Sequence, residues 1–351
     1  MSNQPLYTKY RPQKFSEVVE QDSIKQILSE ELRTQKLKRV LLFTGGAGTG
    51  KTTTARIYAK TIESVNSNII EVNCADKTGV DDIRGLILDS VKSKPMQGTY
   101  KVFILDESHM LTVQAQNALL KILEEPPTYC IFIMCTTDPQ KVLGTILSRA
   151  FRYDFQLISH QGIVNQLLYI LETEKNDING CGVQSWNLDA INYIAQTASG
   201  HMRNGVALLD KVLSYTKDIT VDAVVKVLGV TGYDKLFETL DALLSSDQSK
   251  LLQVLDQVDK SGIDLKLFVK NLLSFILDVN KYIILKSAGN PNPMSLLSMP
   301  LTYEDRLRGY NINHKDKLRS ILGKVLELNS ALRWETTVKP VLETNLLLEV
   351  M

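Results

Sequence analysis

A chain of 351 residues is long enough for two or three domains, each with its own apolar core. Hydrophobic residues make up 44% and charged residues 23%, which excludes an intrinsically disordered chain; no apolar run approaches the roughly 18 residues of a membrane helix. The 40 Lys and Arg are balanced by 39 Asp and Glu, which excludes nucleic-acid coating by bulk charge but leaves room for a local basic surface.

The opening stretch, Met1 to Phe15, is polar and lacks the apolar core of a secretory signal, so a cytoplasmic protein is expected. From Arg39 to about Phe155 strand and helix patterns alternate. Apolar runs at Val40–Phe43, Ile69–Val72, Val102–Leu105 and Cys130–Cys135 read as buried parallel strands. Helical stretches lie between them at Thr52–Ile62, Asp81–Val91 and Val113–Glu125, the last stopped by Pro126 and Pro127. This alternation predicts a parallel sheet flanked by helices. After Phe155 the strand signal fades. Gln161–Glu172, Leu188–Ala198, Asn204–Tyr215 and Val221–Leu228 read as helices, and Gly229 and Gly232 bracket a boundary. Further on, Leu236, Leu240, Leu243 and Leu244 share a helix face, as do Leu251, Leu252, Leu255 and Val258. Ser287–Pro300 reads as a long loop, followed by helices around Leu318–Leu332 and Val338–Val350. The four cysteines, Cys74, Cys130, Cys135 and Cys181, form no Cys-x-x-Cys pair and match no zinc spacing; buried thiols in a reducing compartment are expected.

The densest chemical signal is Gly45-Gly46-Ala47-Gly48-Thr49-Gly50-Lys51-Thr52, with Thr53 after it. It fits the phosphate-loop pattern and stands between a strand and a helix, the context that pattern requires. Its glycines let backbone N–H groups close around phosphate oxygens, Lys51 carries a cation to the β- and γ-phosphates, and Thr52 offers a hydroxyl to Mg²⁺. The second signal is Asp106-Glu107 at the tip of the third strand. Asp106 can hold hydrated Mg²⁺ and Glu107 can polarise a water, which favours hydrolysis over transfer to a small substrate. Two solvated acids capping a strand are the plain alternative, and the upstream loop weighs against it. Thr136-Thr137-Asp138 closes the fourth strand; a hydroxyl there can orient water, although Thr at a strand end is usually structural. Arg149 and Arg203 are exposed charges unless an ATP lies in their reach.

These motifs, in this order, resemble the clamp-loader AAA+ ATPases, and most closely the gamma/tau subunits of bacterial DNA polymerase III. Tyr7 to Gln21 is similar to their Arg-Pro-x-x-Phe opening. Asp106 to Leu111, Asn117 to Pro127, Thr136 to Lys141, Ile146 to Arg149 and Gly200 to Arg203 continue the likeness. It is dense from residue 7 to about 229 and weak beyond, where Leu332-Arg333-Trp334-Glu335 and Glu343 are similar to the end of the family's helical collar. The resemblance implies an α/β P-loop AAA+ domain over 1–158, a small helical lid over 159–229 and an all-α collar over 230–351. It implies an ATPase using ATP and Mg²⁺ within a pentameric ring of loader subunits that acts on a sliding clamp and primer-template DNA. Arg11, Pro12 and Val19 would then line the adenine pocket. Thr137 would take the sensor-one position, Arg149 the finger acting on a neighbour's ATP, Arg203 the sensor-two position and Arg84 a DNA-backbone contact.

Three departures stand out. The family's four-cysteine zinc module has no counterpart between Lys60 and Asn68, so no zinc is expected. The usual Ser-Arg-Cys is Ser148-Arg149-Ala150, and the usual Gly before Gln21 is Glu20, so a different shape is expected for the adenine-side loop. A compact phage or otherwise divergent member without the tau extension fits these features. Three other classes compete: a structural ring subunit with little turnover, a small-molecule P-loop kinase, and another AAA+ DNA-remodelling motor such as a branch-migration enzyme. Intact Lys51, Asp106, Glu107 and Arg149 weigh against the first, the helical C-terminal third against the second, and the Arg-Pro-x-x-Phe opening against the third.

Overall fold

The computed structural model describes residues 4–63, 65–76, 79–177, 182–228, 233–262, 264–297, 299, 303–332 and 335–350. Contacts group the chain into two compact units, Met1–Ile170 with Ala198–Ala207, and Leu171–Thr197 with Leu208–Met351.

The first unit is built on five parallel strands: β1 (Val40–Gly45), β2 (Ile69–Asn73), β3 (Lys101–Asp106), β4 (Cys130–Thr136) and β5 (Phe151–Phe155). Their spatial order is β2-β3-β4-β1-β5, with β1 held between β4 and β5. All seven residues of β4 are buried, whereas the edge strands β2 and β5 are largely open to solvent. Central parallel strands are covered on both faces, which is why they read as unbroken apolar runs. Side chains alternate between two cores. Val40, Leu42, Phe103, Leu105, Phe132 and Met134 face one way; Leu41, Phe43, Val102, Ile104, Ile131 and Ile133 face the other.

Helices α1 (Asp22–Thr34) and α2 (Lys51–Ile62) cover the second of these faces through Ile24, Leu28, Ala55 and Tyr58. Helix α3 (Val113–Glu124) covers the first through Ala115, Leu119 and Leu123. Beside it lies the stretch expected as one helix over Asp81–Val91. It is instead a turn of α-helix (Val80–Ile83), a π turn (Arg84–Leu88) and a last α turn (Asp89–Val91). Ile83, Ile87 and Val91 still reach the core. Gly85 sits in the π turn with open space around a would-be Cβ.

One polar contact ties the second face together. Glu31 on α1, 7% exposed, accepts hydrogen bonds from the hydroxyls of Tyr58 on α2 at 2.8 Å and Tyr153 on β5 at 2.6 Å. Burial first, and the hydrogen bond to the carboxylate second, push both phenols well above their ordinary range. Glu20 and Gln21 both adopt left-handed φ, +55° and +56°. That conformation costs a residue with a Cβ about 1–2 kcal/mol. The Glu20 carboxylate offsets it by accepting from the Ser159 amide at 3.0 Å and the Ser159 hydroxyl at 2.5 Å, while the Gln21 side chain exchanges hydrogen bonds with the backbone of Gln156. The departure from glycine at position 20 therefore leaves a left-handed turn in place.

The second unit is mainly helical, including the helices Leu188–Thr197, Tyr233–Ser245, Gln248–Lys260, Leu265–Ser287, Lys315–Ala331 and Val338–Val350. A two-stranded parallel pair, Ser185–Trp186 with Asp218–Ile219, interrupts a region read as helices alone. Leu236, Leu240 and Leu243 are buried as expected. Leu252 is not: it is 38% exposed, and Leu251, Val254, Leu255 and Val258 form the inward stripe. These four fall at i, i+3, i+4 and i+7, and Leu252 lies one residue, about 100°, off that line. The Ser287–Pro300 segment also differs from a plain loop, since it contains a 3₁₀ turn at Pro293–Leu296 and buries Met294, Leu297 and Met299. Gly229, Gly232 and Cys181 lie outside the described residues. No helix among the described residues is long and apolar enough to cross a membrane.

Candidate nucleotide site

Strand β1 ends at the C-terminal edge of the sheet, between two strands on either side of the point where the chain order reverses. Ligands of open α/β sheets gather at such a point. The turn that follows is forced by its glycines. Gly45 has φ +142°, and a Cβ there would stand 2.3 Å from the Phe155 carbonyl oxygen. Gly48 has φ +69°, and its Cβ would crowd Arg203 at 3.1 Å. Helix α2 begins directly after the turn at Lys51, so its N-terminal amides and positive dipole end face the loop.

Lys51 is buried, and its Nζ donates to the carbonyls of Gly45 at 2.8 Å and Gly46 at 2.7 Å. Burial lowers its pKa, opposed by the negative groups around it, Glu107 and Asp106 among them. The Thr49 hydroxyl donates to the Gly46 carbonyl at 2.9 Å and braces the loop. The Thr52 hydroxyl donates to Asp106 Oδ1 at 2.8 Å, bringing together two residues 54 positions apart. Burial raises the Cys135 thiol well above its ordinary range, so the group beneath the loop stays neutral.

Glu107 has left-handed φ, +50°, which turns its carboxylate out of the line of β3. Its Oε2 accepts from the Thr137 hydroxyl at 3.4 Å and lies 3.4 Å from His109 Nδ1. His109 in turn meets the Thr136 hydroxyl at 3.1 Å. The buried Ser108 hydroxyl donates to the Cys135 carbonyl at 3.1 Å and fixes the turn to β4.

A cavity of about 360 Å³ opens over the loop. It is lined by Arg11, Pro12, Val19, Ala47 through Thr53, Asp106, Glu107 and Arg203. The geometry thus collects most of the expected residues. Gly45 and Gly46 are not in the lining and serve through their carbonyls on Lys51. Thr137 stands behind Glu107, not at the cavity wall. Arg149 is elsewhere: its guanidinium is held by Glu124 Oε1 at 2.6 Å and by the Thr145 carbonyl at 2.6 Å. The Arg84 side chain lies outside the described residues. Sequence reasoning missed Tyr7, which the Arg203 guanidinium covers at 5.1 Å, and also Tyr10, Gln166 and Met202 in the lining. It also missed His109 and His201; each sat inside a quoted motif, and only the fold shows what its ring touches.

Two family profiles match the sequence: DNA polymerase III, delta subunit, over residues 66–159, and DNA polymerase III subunits gamma and tau domain III, over residues 219–298. The DNA polymerase III subunit tau of Bacillus subtilis is 36% identical over 304 residues, covering 80% of this chain and 52% of that protein. The gamma/tau subunit of Mycoplasma genitalium is 34% identical over 308 residues, covering 81% and 50%. The chain belongs to the clamp-loader AAA+ family. It spans about half the length of the curated relatives it matches. Among solved structures, the Thermotoga maritima RuvB Holliday junction branch migration motor aligns with a TM-score of 0.50 at 19% identity, over 66% of this chain and 79% of that one. At that identity the likeness is one of fold: this clamp-loader family member shares the AAA+ sheet and its flanking helices.

Proposed function

We propose that this clamp-loader family member is an ATP-hydrolysing subunit of a DNA sliding-clamp loader. The observation that carries the reading is the convergence of Lys51, Thr52, Asp106 and Glu107 on one cavity at the C-terminal edge of the sheet. The donor set fits a hydrated Mg²⁺, because a hydroxyl and a carboxylate oxygen, the hard ligands it prefers, already meet at 2.8 Å between Thr52 and Asp106. When bound there with ATP, the ion would neutralise charge on the β- and γ-phosphate oxygens. The loop amides and Lys51 hold the phosphates. Arg11, Pro12 and Val19 flank the base, and Arg203 supplies a second cation to the γ-phosphate. Glu107, steadied by Thr137, orients the attacking water and accepts its proton.

On this reading residues 1–158 form the nucleotide-binding domain, 159–229 the lid and 230–351 the collar that joins a pentameric ring in the cytoplasm. ATP binding lets the ring open a clamp and grip primer-template DNA, with Arg84 on the backbone, and hydrolysis releases both. The test is ATP turnover by the assembled loader, with clamp and primed DNA supplied separately and together. Turnover should rise most when both are present. Turnover indifferent to both, or raised instead by four-way junction DNA, would move the protein to another AAA+ class.

No zinc takes part. A structural zinc needs four closely spaced ligands, and the link from Ile62 to Ile69 carries no Cys or His. Elemental analysis of the purified chain should return far less than one zinc per molecule; a stoichiometric value would overturn the expectation.

A further inference from the structure

The segment before α-helical residues 202–207 touches the phosphate loop through a side chain that the nucleotide reading does not use. His201 Nδ1 lies 2.6 Å from the carbonyl oxygen of Ala47. A carbonyl can only accept, so Nδ1 carries the proton and donates. The ring is also packed against the loop: a Cβ on Gly46 would stand 3.1 Å from His201 Cε1 and 3.2 Å from Leu157 Cδ2. Gly200, with φ +83°, lets the chain turn at this point, and a Cβ there would strike Leu157 at 2.8 Å.

The consequence follows from peptide geometry. The Ala47–Gly48 peptide is planar and trans, so its C=O and N–H point to opposite sides. Holding the Ala47 carbonyl on His201 therefore turns the Gly48 N–H the other way, away from the imidazole. Ala47 and Gly48 both line the cavity. Phosphate loops bind through amides aimed before the ligand arrives, and a glycine-flanked peptide is the one most free to flip.

We propose that His201 is a positioning residue for nucleotide binding: its Nδ1–H fixes the Ala47–Gly48 peptide so that the Gly48 amide is presented to a phosphate. The inference rests on the nucleotide reading of the site and adds to it a residue from outside the loop. The imidazole touches the loop and is not part of the cavity lining. It acts on an amide used equally in the ground state and during turnover, so it governs affinity and leaves the chemical step alone.

The experiment compares His201→Ala, His201→Asn and His201→Gln in the full chain, with ATP and ADP as probes. The Asn side-chain nitrogen occupies the place of Nδ1, whereas that of Gln falls nearer the place of Nε2. His201→Ala should weaken both nucleotides about 3- to 10-fold, the worth of one hydrogen bond. KM for ATP should rise with kcat unchanged in the assembled loader. His201→Asn should restore most of the affinity and His201→Gln should not. If the wild-type chain binds ATP and His201→Ala binds it equally well, the proposal falls and the ATPase reading stands. If Ala weakens binding but Asn fails to rescue it, the effect is ring packing on Gly46 and the hydrogen-bond role is overturned. If the wild-type chain binds no nucleotide, both readings fall together.

Discussion

Replacing Glu107 with Gln should leave ATP affinity within about twofold of wild type and slow turnover about 100- to 10,000-fold, the range for removal of a positioned general base. The substitution keeps size and hydrogen-bonding reach. The Thr137 hydroxyl, 3.4 Å from Oε2, can still donate to an amide oxygen. Lys51, Thr52 and the loop amides, proposed above to hold the phosphates, are untouched. What disappears is a negative oxygen able to take a proton from water. The left-handed turn at Glu107 aims that oxygen, so the change is confined to chemistry. Equilibrium binding and single-turnover hydrolysis, measured side by side, separate the two quantities. In the loader, ATP would still open the ring, and clamp should accumulate on primed DNA without release. Hydrolysis at the wild-type rate would remove Glu107 from the mechanism.

Arg149→Ala should behave in the opposite way with respect to assembly. The Arg149 guanidinium is absent from the lining of this chain's own cavity and is held by Glu124 and the Thr145 carbonyl. Binding of ATP by the isolated chain should therefore hardly change. In the assembled loader, hydrolysis should fall about 1,000-fold or more, as when an arginine finger is withdrawn from a neighbouring γ-phosphate. Mixing makes the test stringent. Arg149→Ala and Lys51→Ala chains should each be defective, but together they should form some interfaces with an intact Lys51 site facing an intact Arg149. Those interfaces should regain turnover. Mixed assemblies that form and stay inactive would leave Arg149 as a surface charge paired with Glu124.

What could be read from the sequence was what is local. The phosphate loop and the Asp106-Glu107 pair are contiguous, and both stand where the apolar runs place strand ends. Strand β5 was hidden because Phe151–Phe155 alternates with Arg152 and Asp154 facing water, as an edge strand does, and so lacks the apolar run that marked β1, β3 and β4. The π turn was hidden because Ile83, Ile87 and Val91 keep a helical spacing that does not register an inserted residue. Leu252 looked like core because apolar identity was visible and its rotation off the stripe was not. The ring contacts of His109 and His201 depend on partners 27 and 154 residues away, which no periodicity encodes. Arg203 is legible in the sequence only as a charge that matters if ATP lies in its reach, and its approach to Gly48 is a property of the fold.

The carboxylate shared by Tyr58 and Tyr153 makes the two faces of the sheet mechanically unequal. Helix α2, which carries Lys51 and Thr52, is bolted through Tyr58 to Glu31, and Glu31 is bolted to the edge strand through Tyr153. Sliding α2 along its axis would break a buried hydrogen bond, so that helix is fixed relative to α1 and to the edge strand. On the other face, residues 84–88 form a wide π turn, Ile83, Ile87 and Val91 reach the core, and the Ser90 and Val91 carbonyls accept hydrogen bonds from Lys101 and Tyr129. A tightened α-helical turn built into residues 84–88 would reshape that face without touching a residue that lines the cavity over the phosphate loop.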